Sequence, residues 1–155
     1  MNQPTPLSEE ILPSAIELID KVFVYEKDRE LARINLTETL EHKNYGQMYW
    51  FATDKKGKAI GMTGLYRDQK NKDDHETVWL GWFGVHPEYR RCGIGSSLLE
   101  FTINEAKRLG FKTMKIYTST DENESAAHKL YESFGFEKTI LLKDEEVIYF
   151  LNKLT

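Results

Sequence analysis

The sequence predicts a single domain of the α/β (α+β) class, in which one mixed sheet is flanked by helices. Its 155 residues suffice for one substantial core, because a chain of this length buries roughly 68–70% of the surface that its unfolded form exposes. The residue patterns follow the order αα, ββ, βαβ, α, ββ, which is typical of helices layered on a sheet. Hydrophobic residues make up 40% and charged residues 30% of the chain, as in ordinary globular proteins.

Helices are predicted where apolar residues recur at helical spacing. The first begins at about Pro13, since proline suits a first helical turn, and Asp28 is the expected N-cap of the second. Gly110 is expected to stop the third helix as a left-handed cap, and the fourth ends at Gly135. After the first helix, the predicted spans are about 28–43, 93–109 and 125–134.

Strands are predicted between the helices. Two more strands can form in the last part of the chain around a turn at 144–146. Pro4 and Pro6 argue against a strand in the first few residues. The first two predicted strands form a hairpin with its turn at 54–57, and the polar stretch 67–76 is expected to be a loop. The predicted strands are 47–53, 58–66, 77–85 and 112–118, with the final pair within 137–151.

Composition argues for a cytoplasmic location and against several function classes. The N-terminus has neither the basic nor the apolar region of a secretory signal, and no apolar run approaches the roughly 20 residues of a membrane span. The single cysteine, Cys92, excludes an internal disulfide and a cysteine-based zinc site. A net charge of −4, without long lysine or arginine runs, argues against nucleic acid as a partner. We therefore expect a cytoplasmic protein with no nucleic-acid or membrane partner.

The strongest motif in the chain is the stretch VHPEYRRCGIGSSLL at residues 85–99. A buried strand ends there, and a glycine-rich turn opens a long helix whose first N–H groups have no partner within the helix. Gly93 and Gly95 allow close approach to the backbone, and Arg90 and Arg91 add positive charge. This combination predicts a phosphate-binding helix start. Neither GxGxxG nor Gly-Lys-Ser/Thr is present, so the common nucleotide loops are excluded.

These residues resemble the GNAT superfamily of N-acetyltransferases. Arg90, Gly93 and Gly95 match its cofactor signature, and LYESFGF at 130–136 resembles its Leu-Tyr-Glu-x-x-Gly-Phe segment. The resemblance covers about residues 47–140 and is specific, because two separate motifs occur at the right separation. It implies a mostly antiparallel sheet of about six strands in which strand 77–85 splays from strand 112–118.

The resemblance also implies the cofactor and the residues that hold it. Acetyl-CoA would place its pantetheine arm between the splayed strands, and backbone N–H groups of the loop would hold its pyrophosphate. Asn123 lies one position before that of the family's asparagine, which falls on Glu124. The implied cofactor-binding residues are Gly84, Val85, Arg90, Arg91, Cys92, Gly93, Ile94, Gly95, Ser96 and Asn123.

Tyr131 occupies the position of the family's general acid, which protonates the departing thiolate. The chemistry is reasonable, because a phenol with a pKa of roughly 10 can supply a proton to a thiolate whose conjugate acid has a pKa of roughly 8.5. Periodicity alone favours a different interpretation, in which Tyr131 is a core aromatic on the face shared with Ala127, Leu130 and Phe134.

The general base is not identified by the sequence. Trp79 stands where family members often carry a glutamate, so the alternatives are water or one of four residues: Glu38, Glu41, His75 and Glu76. The family's first strand also has no convincing counterpart before Pro13.

Other chemically notable residues are expected to be structural. Cys92 would be covered by the bound cofactor, which disfavours a nucleophilic role. Residues 70–74 form a solvated loop or a mobile lid over the acceptor. We expect the aromatic residues Trp79, Trp82 and Phe83 either to pack within the sheet or to line an acceptor pocket. No metal site is expected, because the four histidines are not spaced in the sequence as metal ligands usually are: His42, His75, His86 and His128.

The sequence therefore predicts an N-acetyltransferase that moves an acetyl group from acetyl-CoA to a primary amine. The alternative is a non-catalytic acyl-CoA-binding or sensing module, which the missing glutamate at Trp79 keeps open. The acceptor is a small-molecule or peptide amine that no motif identifies. Dimerisation is common in the family, so a homodimer is a further alternative.

Overall fold

A computed structural model describes residues 3–141, 146–151 and 153–154 of the chain. Short 3-10 turns at Pro87–Tyr89 and Glu122–Glu124 precede the last two helices. In that part of the chain, no helix is long and apolar enough to cross a membrane. The elements are β1 (Thr5–Pro6), α1 (Leu12–Val22), α2 (Glu26–Leu40), β2 (Met48–Thr53), β3 (Ala59–Tyr66), β4 (Thr77–Leu80), β5 (Gly84–Val85), α3 (Ile94–Arg108), β6 (Thr113–Ser119), α4 (Ser125–Ser133), β7 (Glu137–Leu141) and β8 (Glu146–Leu151).

The strands form one sheet with the order β1-β2-β3-β4-β6-β8-β7, and β5 pairs with β3 beyond the end of β4. All pairs are antiparallel except β4 with β6. This arrangement confirms the predicted class, a mixed and mostly antiparallel sheet flanked by helices. Eight strands are described rather than about six, because a short first strand is present and the predicted strand 77–85 is divided.

The predicted strand 77–85 is interrupted at residues 81–83. Leu80 lies opposite Leu65, whereas Gly84 lies opposite Met62. The chain therefore advances four residues from β4 to β5 while β3 advances only three. The extra residue is a β-bulge, which bends the strand and ends its regular pairing. Gly81 N–H donates to the Gly64 carbonyl at 2.7 Å. A Cβ on Gly81 would lie 3.1 Å from the Gly64 carbonyl carbon, so glycine at position 81 allows the two backbones to approach closely.

The expectation that no strand precedes the first helix was wrong. Thr5 and Pro6 pair with Phe51 and Trp50 at the outer edge of the sheet. Proline is tolerated at an edge because its missing N–H would face solvent. The sequence pattern could not distinguish a two-residue edge strand from an extended terminus.

The second helix differs from its prediction at both ends. It begins at Glu26, with Tyr25 as the N-cap and no side-chain cap, so Asp28 lies inside the first turn instead of capping it. There the Asp28 carboxylate still faces the positive end of the helix dipole. The helix ends at Leu40 rather than Lys43, and His42 then adopts a left-handed backbone conformation with φ of 58°.

Most of the predicted turns are confirmed. The Asp54 side chain accepts from the N–H groups of Lys56 and Lys58, and Gly57 has φ of +82°. Gly110 and Gly135, with φ of +90° and +89°, follow α3 and α4 as the caps predicted for those helices. Glu146 begins β8, and positions 144 and 145 of the predicted last turn lie outside the described residues.

The helices cover the two faces of the sheet. On one face, α1 and α2 pack against Phe51 and Met62. On the other face, α3 and α4 pack against Leu65 and Met114. Alternate strand residues point to opposite faces, so neighbouring positions of β3 serve different layers.

A buried hydroxyl chain joins β3 to α3. Thr63 and Thr102 are both 0% exposed, and their hydroxyl oxygens are 2.6 Å apart. Thr102 also donates to the Leu98 carbonyl at 2.6 Å, so Thr63 donates to Thr102. Each hydroxyl is satisfied in this order, and the Thr63 hydroxyl depends on Thr102.

Thr102→Val should therefore destabilise the protein more than Thr63→Val. The first change leaves the Thr63 hydroxyl buried without a partner, which costs about 1–3 kcal/mol, whereas the second leaves Thr102 bonded to Leu98. The double variant should recover most of the loss, because both polar groups are removed. Urea unfolding measures the free energies. Equal losses for the two single variants, or additive losses in the double variant, would contradict this hydrogen-bond order.

Candidate active site

The loop between β5 and α3 presents a row of backbone N–H groups to solvent. Arg91 and Gly93 have φ of 64° and 79°, and the left-handed Gly93 is the N-cap of α3. Within the described chain, the N–H groups of residues 91–96 donate to no carbonyl or side chain, and the first bond of the helix is Ser97 N–H to the Gly93 carbonyl. Arg91, Cys92 and Gly93 are exposed. Such donors beside the positive end of a helix suit an anionic ligand.

Arg90 anchors this loop to the end of β5. Its Nε donates to the Val85 carbonyl at 3.1 Å, which fixes the start of the turn while the side chain stays exposed. His86 N–H donates to the Ile60 carbonyl, so His86 directs its main chain towards β3. Alternate residues of an antiparallel strand face opposite sides, and Val85 therefore directs its N–H and carbonyl away from β3.

An open cleft separates β5 from β6. The parallel pairing of β4 and β6 is confined to Thr77–Trp79 opposite Thr113–Lys115. Beyond it, β6 continues to Ser119, whereas β5 pairs with β3 instead. This confirms the predicted splayed pair. The cleft has the Val85 main chain on one wall and β6 on the other, with the loop 91–96 at the β5 end.

Gly84 and Gly95 differ in how closely their surroundings would approach a side chain. A Cβ on Gly84 would lie 2.2 Å from Cγ1 of Val22, so α1 can cross β5 only because this residue is glycine. The pairing opposite Met62 directs the Gly84 main chain to β3, so the structure does not bring it into the cleft. A Cβ on Gly95 would make ordinary contacts with Leu130 and Val85, at 3.5 and 3.8 Å.

Tyr131 lies on α4 with its ring packed among aromatic residues. The ring centroids of Phe83, Phe136 and Tyr149 are 6.1 to 6.3 Å from its own, and Tyr131 is 5% exposed. Burial, followed by the negative charge of Glu124, raises the pKa of Tyr131 well above its ordinary value. The hydroxyl accordingly stays protonated at neutral pH. Tyr131 is thus a core aromatic whose hydroxyl keeps its proton.

The Tyr131 hydroxyl forms no hydrogen bond to any described residue. The Tyr131 hydroxyl is also not completely buried. Among the described residues, the only completely buried side-chain nitrogen or oxygen atom without a hydrogen-bond partner is Arg67 Nε. The hydroxyl is therefore available to a molecule that enters beside the ring. This availability is what a proton donor to a bound ligand requires.

Residues at the end of β6 connect to the start of α4. The Glu124 carboxylate accepts from Ser119 N–H at 2.9 Å and from the Thr118 hydroxyl. Asn123 instead turns its amide to Asp121 Oδ1 at 2.9 Å and is exposed. Glu124, not Asn123, thus directs its side chain to the strand that forms the cleft wall.

The four residues considered as a general base are not grouped at the cleft. Glu76 pairs with Lys112 at 3.4 Å beside the closed end of the β4–β6 pair, and the neighbouring His75 contacts Arg67 at 3.0 Å. Glu41 pairs with Lys43 at 2.7 Å. Glu38 lines a shallow depression on the α2 surface. None of these contacts includes a residue of the cleft walls.

The remaining residues of interest have structural partners. Residues 67–76 form an ordered loop, because Arg67 donates to the carbonyls of Lys72 and Asp74. The Cys92 thiol is exposed and contacts the Arg90 carbonyl. Side chains of His, Cys, Asp and Glu form no metal-binding group in the described residues.

The three aromatic residues of the predicted cluster point in different directions. Trp79 stacks on Tyr66 at 6.2 Å. Trp82 donates to Asn35 at 2.9 Å, which ties the bulge to α2. Phe83 packs against Tyr131 and so lies next to the cleft. Sheet packing explains the first, whereas Trp82 and Phe83 couple the bulge to the two helical layers.

A feature that the sequence patterns did not reveal is the shared face of Glu124, His128 and Tyr131. His128 Nε2 lies 3.0 Å from the Thr118 hydroxyl, and its ring centroid is 6.4 Å from that of Tyr131. The spacing i, i+4, i+7 was the available signal, since it puts three side chains on one side of a helix. A separate surface recess lies beside the loop and is lined by Thr53, Asp54, Lys55, Lys56 and Tyr89.

Curated relatives of the chain are N-acetyltransferases. Spermine/spermidine N(1)-acetyltransferase of Bacillus subtilis strain 168 is 32% identical over 79 residues, 51% of each chain. The [ribosomal protein bS18]-alanine N-acetyltransferase of Escherichia coli K12 is 27% identical over 134 residues, 84% of each chain. The match spans about half the length of the Bacillus relative.

Solved structures share the fold over nearly the whole chain. A GNAT-family protein from Desulfovibrio desulfuricans aligns with a TM-score of 0.86 and 19% identity, covering 99% of this chain and 98% of that one. Arabidopsis thaliana NAA60, solved in complex with acetyl-CoA, aligns with a TM-score of 0.71 and 14% identity over 96% and 97%.

The sequence model of the GNAT acetyltransferase family matches residues 12–136. The match is broader than the resemblance over 47–140, because it includes α1 and α2. It spans the loop with Arg90, Gly93 and Gly95 and the segment around Tyr131. The chain therefore belongs to the GNAT family of acetyltransferases.

Proposed function

We propose that this protein is an acetyl-CoA-dependent N-acetyltransferase that acts on a primary amine by direct attack in a ternary complex. One observation carries the proposal. The start of α3, with its unpaired N–H donors, lies at one end of the cleft, and a protonated tyrosine with a free hydroxyl lies beside the same cleft. This combination suits a phosphorylated thioester better than it suits a phosphate ligand alone.

The residues of the loop and of β5 would hold the acetyl donor. The N–H groups of residues 91–96 would bind the pyrophosphate of coenzyme A, with Arg90 and Arg91 adding positive charge. The Val85 N–H, directed away from β3, would polarise the thioester carbonyl. Acetyl-CoA supplies the activated acetyl group. Both contacts use rigid main-chain donors, which need little reorganisation during the reaction.

Tyr131 would protonate the departing sulfur. The Tyr131 hydroxyl is protonated at neutral pH, and it would give this proton to the sulfur as the C–S bond breaks. The acceptor must first lose a proton, because an ammonium with a pKa near ~10.4 has no free electron pair. The relatives that act on spermine, spermidine and a ribosomal-protein alanine support an amine acceptor of this kind.

The alternative function is an acyl-CoA-binding or sensing module without turnover. The presence of Trp79 at the position where family members often carry a glutamate favours it. An acetyl-CoA turnover screen distinguishes the two functions. Spermine, spermidine, an alanine-terminated peptide and pooled small amines are the acceptors, and free thiol is detected. We expect thiol release with at least one acceptor, whereas binding without release from any acceptor would support the sensor.

Gly95→Glu should abolish cofactor binding while the protein stays folded. The substitution places a carboxylate beside the pyrophosphate site, where two anions repel. Acetyl-CoA at about 100-fold above its Kd should raise the Tm of the wild-type protein by roughly 5–10 °C, and ATP or NAD should raise it much less. The variant should show no acetyl-CoA shift.

Gly95→Ala is the matched control for this change. Its methyl group would lie 3.5 Å from Leu130, an ordinary contact, so the Tm shift should be retained. A normal shift in Gly95→Glu would mean that the pyrophosphate binds elsewhere.

Tyr131→Phe should reduce turnover while the protein stays as stable as the wild type. The free hydroxyl forms no hydrogen bond to a described residue, so its removal should change the Tm little. A general acid typically contributes 10²- to 10⁴-fold, and the loss should appear in kcat and kcat/KM together. Single-turnover kinetics at saturating acceptor measure it, because product release cannot mask the chemical step there.

Tyr149→Phe is the control within the same aromatic cluster. The Tyr149 hydroxyl already donates to Glu132 at 3.2 Å, so removing it should leave the chemical step intact. A loss below about threefold in Tyr131→Phe, with normal acetyl-CoA binding, would remove Tyr131 from the mechanism.

A further inference from the structure

We propose that Glu124 is the group that takes the proton from the acceptor amine, the role for which the sequence offered only unconfirmed candidates. The inference rests on the proposed acetyl transfer and extends it by one residue. Three observations carry it: how the carboxylate is anchored, where it lies, and which groups surround it.

The Glu124 carboxylate is anchored through one oxygen. Oε2 accepts from the Thr118 hydroxyl, from Ser119 N–H at 2.9 Å and from the Ser119 hydroxyl at 3.3 Å. Oε1 receives no hydrogen bond or ion pair from any residue that the structure describes. The side chain is 44% exposed. One oxygen is therefore fixed to the strand, and the other can meet a cationic ligand.

The anchored carboxylate lies at the cleft. Thr118 and Ser119 end β6, beyond the part of that strand that pairs with β4. Glu124 also shares a helix face with Tyr131, and its charge contributes to the raised pKa of that tyrosine. The proton acceptor and the proton donor would thus lie on the same side of α4, next to the same cleft wall.

His128 supports the position of this carboxylate. Its Nε2 lies 3.0 Å from the Thr118 hydroxyl and 3.8 Å from Glu124 Oε2, and its side chain is 15% exposed. Because the Thr118 hydroxyl donates to Glu124, its oxygen can accept from His128 Nε2. In this arrangement His128 is a positioning residue.

The other titratable groups around Glu124 come from several elements. Tyr131 and His128 lie on its own helix, and Tyr149 of β8 packs 5.0 Å from the His128 ring. On the preceding turn, Asp121 accepts from Tyr25 at 2.5 Å. Within the described residues, no lysine or arginine forms an ion pair with Glu124. A cationic amine would therefore meet a carboxylate that no protein cation neutralises.

The ammonium gives one proton to Glu124 Oε1, and the free amine then forms the C–N bond to the acetyl carbon. The C–S bond breaks, its electron pair stays on sulfur, and Tyr131 protonates that sulfur. The second proton of the attacking nitrogen restores Tyr131, and Glu124 releases its proton to solvent. The products are the amide, the free thiol and one proton.

Glu124→Gln tests this role, because it keeps an oxygen that can accept from Thr118 and Ser119 but removes the charge. At pH 7 the single-turnover rate should fall on the order of 100-fold, with an unchanged acetyl-CoA shift in Tm. The deficit should shrink as the pH approaches the amine pKa of about 10.4, because an amine that is already free needs no proton acceptor.

Two further variants complete the experiment. Glu122→Gln removes a charge from the same turn and should keep the wild-type rate. Glu124→Asp keeps the charge and should restore most of the rate at pH 7. An unchanged rate in Glu124→Gln, a deficit that is the same at every pH, or an equally slow Glu124→Asp would overturn the inference while the proposed function stands. Failure of the wild-type protein to acetylate any amine would reject both.

Discussion

The structure depends on one extra residue in the strand that crosses the centre of the sheet. The bulge at residues 81–83 ends the pairing of β4 with β6 and returns the chain to β3 as β5. Without it, the strand would continue beside β6 and no cleft would form. A bulge leaves local backbone groups without ladder partners, so it must be stabilised by other contacts.

Those contacts come from both helical layers. Trp82 bonds to Asn35 of α2, and Phe83 packs against Tyr131 of α4. The Gly64–Gly81 contact allows the backbones to meet, and Gly84 lets α1 cross. Phe83, which helps to hold the bulge, therefore also packs against the ring of the proposed acid.

Much of this fold is predictable from the sequence, because periodicity, glycines and prolines act locally. The helix start at Ile94, the cap at Gly110 and the turn at Gly57 all follow from such signals. The division of strand 77–85 does not, since apolar residues continue through it and only the pairing with β3 defines the bulge. The short β1 depends in the same way on a distant partner, because Pro6 pairs with Trp50 only by tertiary contact.

The residues of the candidate site also differ in whether local sequence signals could indicate them. The loop 91–96 and Tyr131 lie in contiguous motifs, so the sequence could indicate them. For Glu124, the helical spacing with His128 and Tyr131 indicates a shared face. Only the fold shows that β6 brings Thr118 and Ser119 to the Glu124 carboxylate. The residues that lie in motifs can therefore be predicted from the sequence, whereas those that depend on the placement of a strand can be identified only from the fold.

The loop and the cleft together would form the cofactor site, and backbone amide NMR spectra recorded during a titration with coenzyme A can locate that site. We expect the largest shifts at residues 91–96, with accompanying changes at Val85 on the cleft wall. Shifts confined to the recess at Thr53, Lys55 and Tyr89, with residues 91–96 unchanged, would contradict it.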